Sequence, residues 1–179
     1  MPIIRNIKKQ FQGTKESWGI YWELYGGWKS IISSTYFLVA LAFTLVCFPV
    51  WLKGNENWAW FNLSNSILPN ILGFTLGGYA ILLAFGSSKF MELIAGDNPK
   101  EEGASPFMKI NATFLHFIIV QVIALLISVF SLIWDFKTGI VAFIGFLIFS
   151  YAIATSTAAA FAILRLARWY DSFISSNNK

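Results

Sequence analysis

A chain of 179 residues is ordinarily one domain. It is 56% hydrophobic and only 12% charged, with a net charge of +4, which excludes an ordinary soluble globule, where roughly 25% of residues are charged. One cysteine excludes an internal disulfide framework, and one cysteine with one histidine falls short of the usual ligand count of a metal site.

Residues 1–29 read as a cytoplasmic, interfacial segment. Ile3, Ile4, Ile7 and Phe11 share one helical face with Arg5, Lys8 and Lys9 opposite, a pattern that lies in the membrane interface with its basic side toward anionic headgroups. Gly13 is expected to end this helix. Trp18, Tyr21, Trp22 and Tyr25 then follow at i, i+3, i+4 and i+7, an aromatic stripe at helical spacing. It reads as an interfacial anchor or as a docking face for a partner, since Trp and Tyr are favoured interface anchors.

Four runs carry no Asp, Glu, Lys or Arg: 30–52, 57–88, 110–134 and 138–164. A helix needs about 20 apolar residues to cross a bilayer, so each run is long enough. The expected spans are 30–52, 67–88, 110–134 and 138–164, within a transmembrane domain over 30–170. No cleavable signal sequence is expected, because the first apolar run begins near residue 31 and is too long for one. Pro69 is expected in the first turn of the second span, where a proline suits a helix start. The loop over 89–109 holds an acidic run, Asp97, Glu101 and Glu102, and reads as solvated. Residues 171–179 read as a tail.

The basic residues orient the spans. Five precede the first, three lie in the second loop and three follow the fourth, leaving only Lys53 and Lys137 on the other side. By the positive-inside rule both termini and the second loop face the cytoplasm. Trp28, Trp51, Trp58, Trp60, Trp134 and Trp169 fall at or near expected span ends, where an indole is best solvated.

The second span carries four glycines between residues 71 and 89, each costing about 1 kcal/mol in a helix interior relative to alanine. Gly73, Gly77, Ala80 and Ala84 fall on one side of the helical wheel, as do Gly145, Ala152, Ser156 and Ala159 of the fourth span. In lipid, close van der Waals packing between small residues holds helices together. Two such faces exceed what one intramolecular contact needs. One is expected to pack within the subunit and the other between subunits.

The polar intramembrane residues singled out are His116, Gln121, Ser128 and Thr155. Gln121 and Ser128, seven apart, share a face and are expected to point inward as bundle glue. His116 reads as a hydrogen-bonded residue near the cytoplasmic interface. No charged group lies in any span, and no G-x-S-x-G, H-E-x-x-H or P-loop pattern is present. The expectation is therefore all-α: an integral membrane four-helix bundle with an amphipathic, aromatic N-terminal segment, both termini cytoplasmic, in a bacterial inner membrane. The expected function is a non-enzymatic interaction or assembly subunit without cofactor or metal. It would self-associate as a homo-oligomer and engage a cytoplasmic protein partner, but not nucleic acid. The alternative is a homo-oligomeric pore or membrane-disrupting effector, by analogy of architecture with bacterial anti-phage systems. A transporter subunit, the third reading, lacks the intramembrane charge that such a cycle uses.

Overall fold

The computed structural model describes residues 2–54, 58–84, 88–95 and 104–177, with the side chains at 2–7, 88, 92–93 and 177 excepted. The side chain of Arg5, the apolar face at 3–7 and the acidic run at 97–102 lie outside that description. The fold is all-α. Three of its helices, α5 (Trp60–Ala84), α7 (Pro106–Ile133) and α8 (Gly139–Asn177), are each long and apolar enough to cross a membrane. Membrane insertion follows from that.

Helix α1 (Pro2–Tyr25) begins on a proline and runs without a break through Gly13 and Gly19. Gly13 does not end it, contrary to the sequence expectation. One glycine among Lys, Gln and Glu costs about 1 kcal/mol, too little to stop a helix whose flanking turns all form well. The stop comes instead at Gly26 and Gly27, with φ of +90° and +62°, the left-handed conformation in which glycine ends a helix without a Cβ clash.

The chain reverses there into α2 (Gly27–Ile32), then α3 (Thr35–Val46) and α4 (Phe48–Leu52). The first expected span, 30–52, is thus interrupted twice. Ser34 is extended, with φ −69° and ψ 128°, and α3 stops at Cys47 just before Pro49. Proline has no N–H to donate and its ring crowds the preceding turn, so α4 starts afresh around it. Alone, the 12 residues of α3 reach about 18 Å, short of the roughly 30 Å hydrocarbon core.

Helix α5 starts well before Pro69, which lies inside it and not in its first turn. Trp60 and Phe61 are fully buried, and that burial draws the helix back toward the loop. Ser66 and Asn70 donate to the carbonyls of Leu63 (2.8 Å) and Ser66 (3.2 Å), bonding backbone in the turn beside the proline. After α6 (Ser88–Ala95), Ser105 caps α7 by accepting from the Met108 amide at 3.3 Å, with Pro106 at the first helical position. Helix α8 has 39 residues, about 58 Å at the standard rise. It continues through the segment read as a tail as far as Asn177.

Helices α5, α7 and α8 pack on one another, α3 and α4 lie on α8, and α1 lies on α7. At one end of the bundle the Trp60 indole donates to the Phe136 carbonyl at 3.1 Å, and Trp51 meets Phe143 edge-on. At the other end Tyr36 shares a small cavity with Ile110, Thr113, Phe117 and Arg165. The core has two parts. One centres on Trp60, Phe61, Leu68, Ala124 and Phe149, the other on Leu82, Phe90, Phe114, Phe117 and Leu166.

Candidate functional site

The last two turns of α1 lie along the first three turns of α7. Ile20, Tyr21 and Leu24 face Met108, Ala112 and Leu115 across a cavity of about 280 Å³. Beyond it the Tyr21 hydroxyl sits 2.8 Å from His116 Nδ1, and His116 Nε2 sits 2.9 Å from the Tyr151 hydroxyl of α8. The Tyr25 ring stacks on the imidazole, centroids 3.8 Å apart at 16°. Both ring nitrogens of His116 are engaged, so one tyrosine donates to the neutral imidazole and the other accepts from it. Burial pushes the Tyr21 hydroxyl up to about 12, Tyr25 adding to it, and burial also raises Tyr25. Both therefore remain neutral hydroxyls. The group pins α1 to two bundle helices and leaves neither His116 ring nitrogen free to ligate a metal ion.

The aromatic stripe is divided by this arrangement. Tyr21 is 3% exposed and, with Tyr25, turns into the chain's own bundle, while Trp18 is 51% exposed. A partner-docking face built from all four side chains is therefore corrected: two of them already have a partner within the chain. Periodicity marks a face but does not say what covers it. Lys8 and Lys9 are exposed, as is every residue from there to Ile20.

Beside the pin, a pocket of about 530 Å³ opens between the α1–α2 reversal and the bundle. Trp18, Tyr21, Trp22 and Trp28 form one wall, and Ile119, Val120, Ile123 and Ile148 the other.

The two small-residue faces point in different directions. Gly73, Gly77, Ala80 and Ala84 of α5 are all exposed, and a Cβ added at Gly73 or Gly77 would meet nothing within 4 Å. The glycine of α5 that does pack is Gly78, whose Cβ would come 2.9 Å from Ile163 Cδ1. On α8, Ala152 and Ala159 are fully buried, and a Cβ at Gly145 would overlap the Trp60 indole. Ser156 is half-buried and donates to the Ile153 carbonyl at 2.6 Å.

Gln121, Ser128 and Thr155 are fully buried. Gln121 Nε2 donates to Thr75 Oγ1 at 3.0 Å, tying α7 to α5, while its Oε1 has no partner. Ser128 donates to the Phe61 carbonyl at 3.0 Å, and Thr155 to that of Ala152 at 2.7 Å. Sequence reasoning missed Tyr151 and Gly78, and it set Trp60 at a membrane interface where the structure has it in the core. Trp60 sits at a span end, as a belt indole would. Its distinguishing partner, Gly145, is 85 residues away in sequence, and no periodicity joins the two.

Compared with protein-family models, with curated proteins and with solved structures, the chain matches none.

Proposed function

We propose that the chain is a non-enzymatic, self-associating membrane subunit that presents the exposed part of α1 to a cytoplasmic protein. The observation that carries this is the outward α5 face: Gly73, Gly77, Ala80 and Ala84 are accessible along one side of a helix read as lipid-facing there. A run of small side chains against lipid gives up packing for nothing, whereas against a second helix it allows close backbone approach. Asn70, exposed and in register with that face, supports the reading. A carboxamide in the apolar layer is favourable where a second copy offers a hydrogen bond, worth about 0.6 kcal/mol on average in membranes. α3 and α4 together form the remaining crossing, broken at Pro49. Tyr36 at their start lies near Arg165, and Trp51 at their end lies near the opposite turn, against Phe143. With four crossings both termini are cytoplasmic, in the inner membrane of a bacterium.

A water-filled pore has less to stand on. Gln121, Ser128 and Thr155, among the side chains that would line it, are buried and bonded within a single subunit, although Thr157 on the Ser/Thr-rich face of α8 is exposed.

The test is native mass spectrometry of the tagged protein, extracted gently from its host membrane. A homo-oligomer that becomes monomeric on Gly77→Leu supports self-association through α5. A wild-type monomer, or an oligomer indifferent to Gly77→Leu, removes that assignment. A soluble protein that co-purifies in fixed ratio, and is lost when Lys8, Phe11 and Lys15 are substituted together, supports the role given to α1.

A further inference from the structure

We propose that the pocket between the α1–α2 reversal and helices α7 and α8 holds one acyl chain of a membrane phospholipid. Its volume, about 530 Å³, lies within the range of small-molecule sites, about 300–1,000 Å³. At about 30 Å³ for a group the size of water, and a methylene is similar, the pocket takes about eighteen such groups, a long acyl chain. The polar side chains on its floor bond one another: Tyr21 to His116, and His116 to Tyr151. A sugar, nucleotide or amino acid would find neither nitrogen of the His116 imidazole free there, whereas a hydrocarbon needs none.

Position selects the occupant. Along α7 the lining runs from His116 to Ile123, between ten and seventeen residues past the start of the helix at Pro106. That is about 15 to 26 Å along the helix axis, inside the charge-free run 110–134. At that depth the molecules surrounding the chain are lipid tails. The rim is open to them, because Trp28 is 69% exposed and Ile123 42%. Rim indoles suit the headgroup boundary, and Ile119, Ile123 and Ile148 continue the wall toward the bilayer centre. A void facing hydrocarbon leaves its lining without dispersion partners, and a single tail supplies them on both sides. This inference rests on membrane insertion and not on self-association, so a monomeric protein would leave it standing.

The test uses the full chain in phosphatidylethanolamine–phosphatidylglycerol vesicles containing a phospholipid with a diazirine in one acyl chain. After irradiation the labelled residues are mapped by peptide mass spectrometry. Label is expected on Ile119, Val120 and Ile148 severalfold above that on Leu126 and Val129, which are exposed on the outer surface of α7. Ile123→Trp and Ile148→Trp, each placing an indole in the pocket, should lower the pocket label severalfold and leave the outer label unchanged. Equal labelling of pocket and outer surface in the wild type overturns the proposal. So does pocket label that persists in both variants. If neither variant inserts, the wild-type ratio alone decides. A free fatty acid bearing the same diazirine forms the second arm, and pocket labelling by it without labelling by the phospholipid overturns the phospholipid as occupant.

Discussion

At the scale of single residues, His116 shows how a lone polar group is accommodated in an apolar helix. Its two ring nitrogens reach Tyr21 and Tyr151, 95 and 35 residues away in the chain, so one side chain ties α1, α7 and α8 together. Tyr21→Phe removes one hydroxyl and leaves a buried nitrogen unsatisfied, a loss of about 1–3 kcal/mol. Amide hydrogen exchange in the last two turns of α1 should then quicken by about five- to a hundredfold, since each 1.4 kcal/mol is a decade, while α5 exchange is unchanged. Unaltered exchange in α1 would mean the pin is not what holds it. Glycines make the complementary case. Gly145→Ala drives a Cβ into the Trp60 indole, and overpacking of this kind costs about 1–3 kcal/mol, read as a lower midpoint in thermal unfolding. Gly77→Ala meets open space and should hold or raise the monomer's stability by up to about 1 kcal/mol. Similar destabilisation by both would contradict the two orientations.

Among the elements, α5 and α8 carry matching small-residue patterns with opposite roles. Both stand out in the sequence, because small side chains recurring on one face are conspicuous in any apolar helix, and the structure packs the α8 face within the chain while the α5 face is exposed. What could not be read was the direction each faces. The lipid outside a membrane bundle is as apolar as its interior, so the contrast that orients an amphipathic helix in water is missing. Gln121 and Ser128 are different, since a buried polar side chain has a reason to avoid lipid wherever it sits. The α5 assignment leads to a dose-like expectation: in detergent, Gly73→Leu and Gly77→Leu should each shift the population toward monomer, and the pair further still. Gly78→Leu should instead disturb the contact with Ile163 and lower thermal stability. If Gly78→Leu alone abolished assembly with thermal stability intact, the outward face would have been misassigned. The boundaries of α1 and α5 teach a related lesson. Gly13 and Pro69 carry local signals for helix ends, and both were overridden, the first by its helix-forming neighbours and the second by the burial of Trp60 and Phe61.

For the whole molecule, the proposed topology is checked by cysteine labelling in sealed vesicles or intact cells. With Cys47→Ser as background, Lys9→Cys and Ser176→Cys should react only with reagent on the cytoplasmic side. Lys137→Cys, in the turn between α7 and α8, should react from the opposite side. Labelling of residues 9 and 176 from opposite sides would mean an odd number of crossings and would remove α3 and α4 as the fourth. Charge-free runs and apolar composition were enough to establish an all-α chain with long membrane helices. Those properties follow from local transfer energetics, which each segment carries in its own composition. Only the tertiary structure decided that Tyr21 and Tyr25 close onto His116, that Gly145 admits the Trp60 indole, and that the α8 face turns inward while that of α5 is left free. Each of these depends on which helix lies opposite, and in a chain apolar on nearly every side it is shape, not hydropathy, that makes the choice.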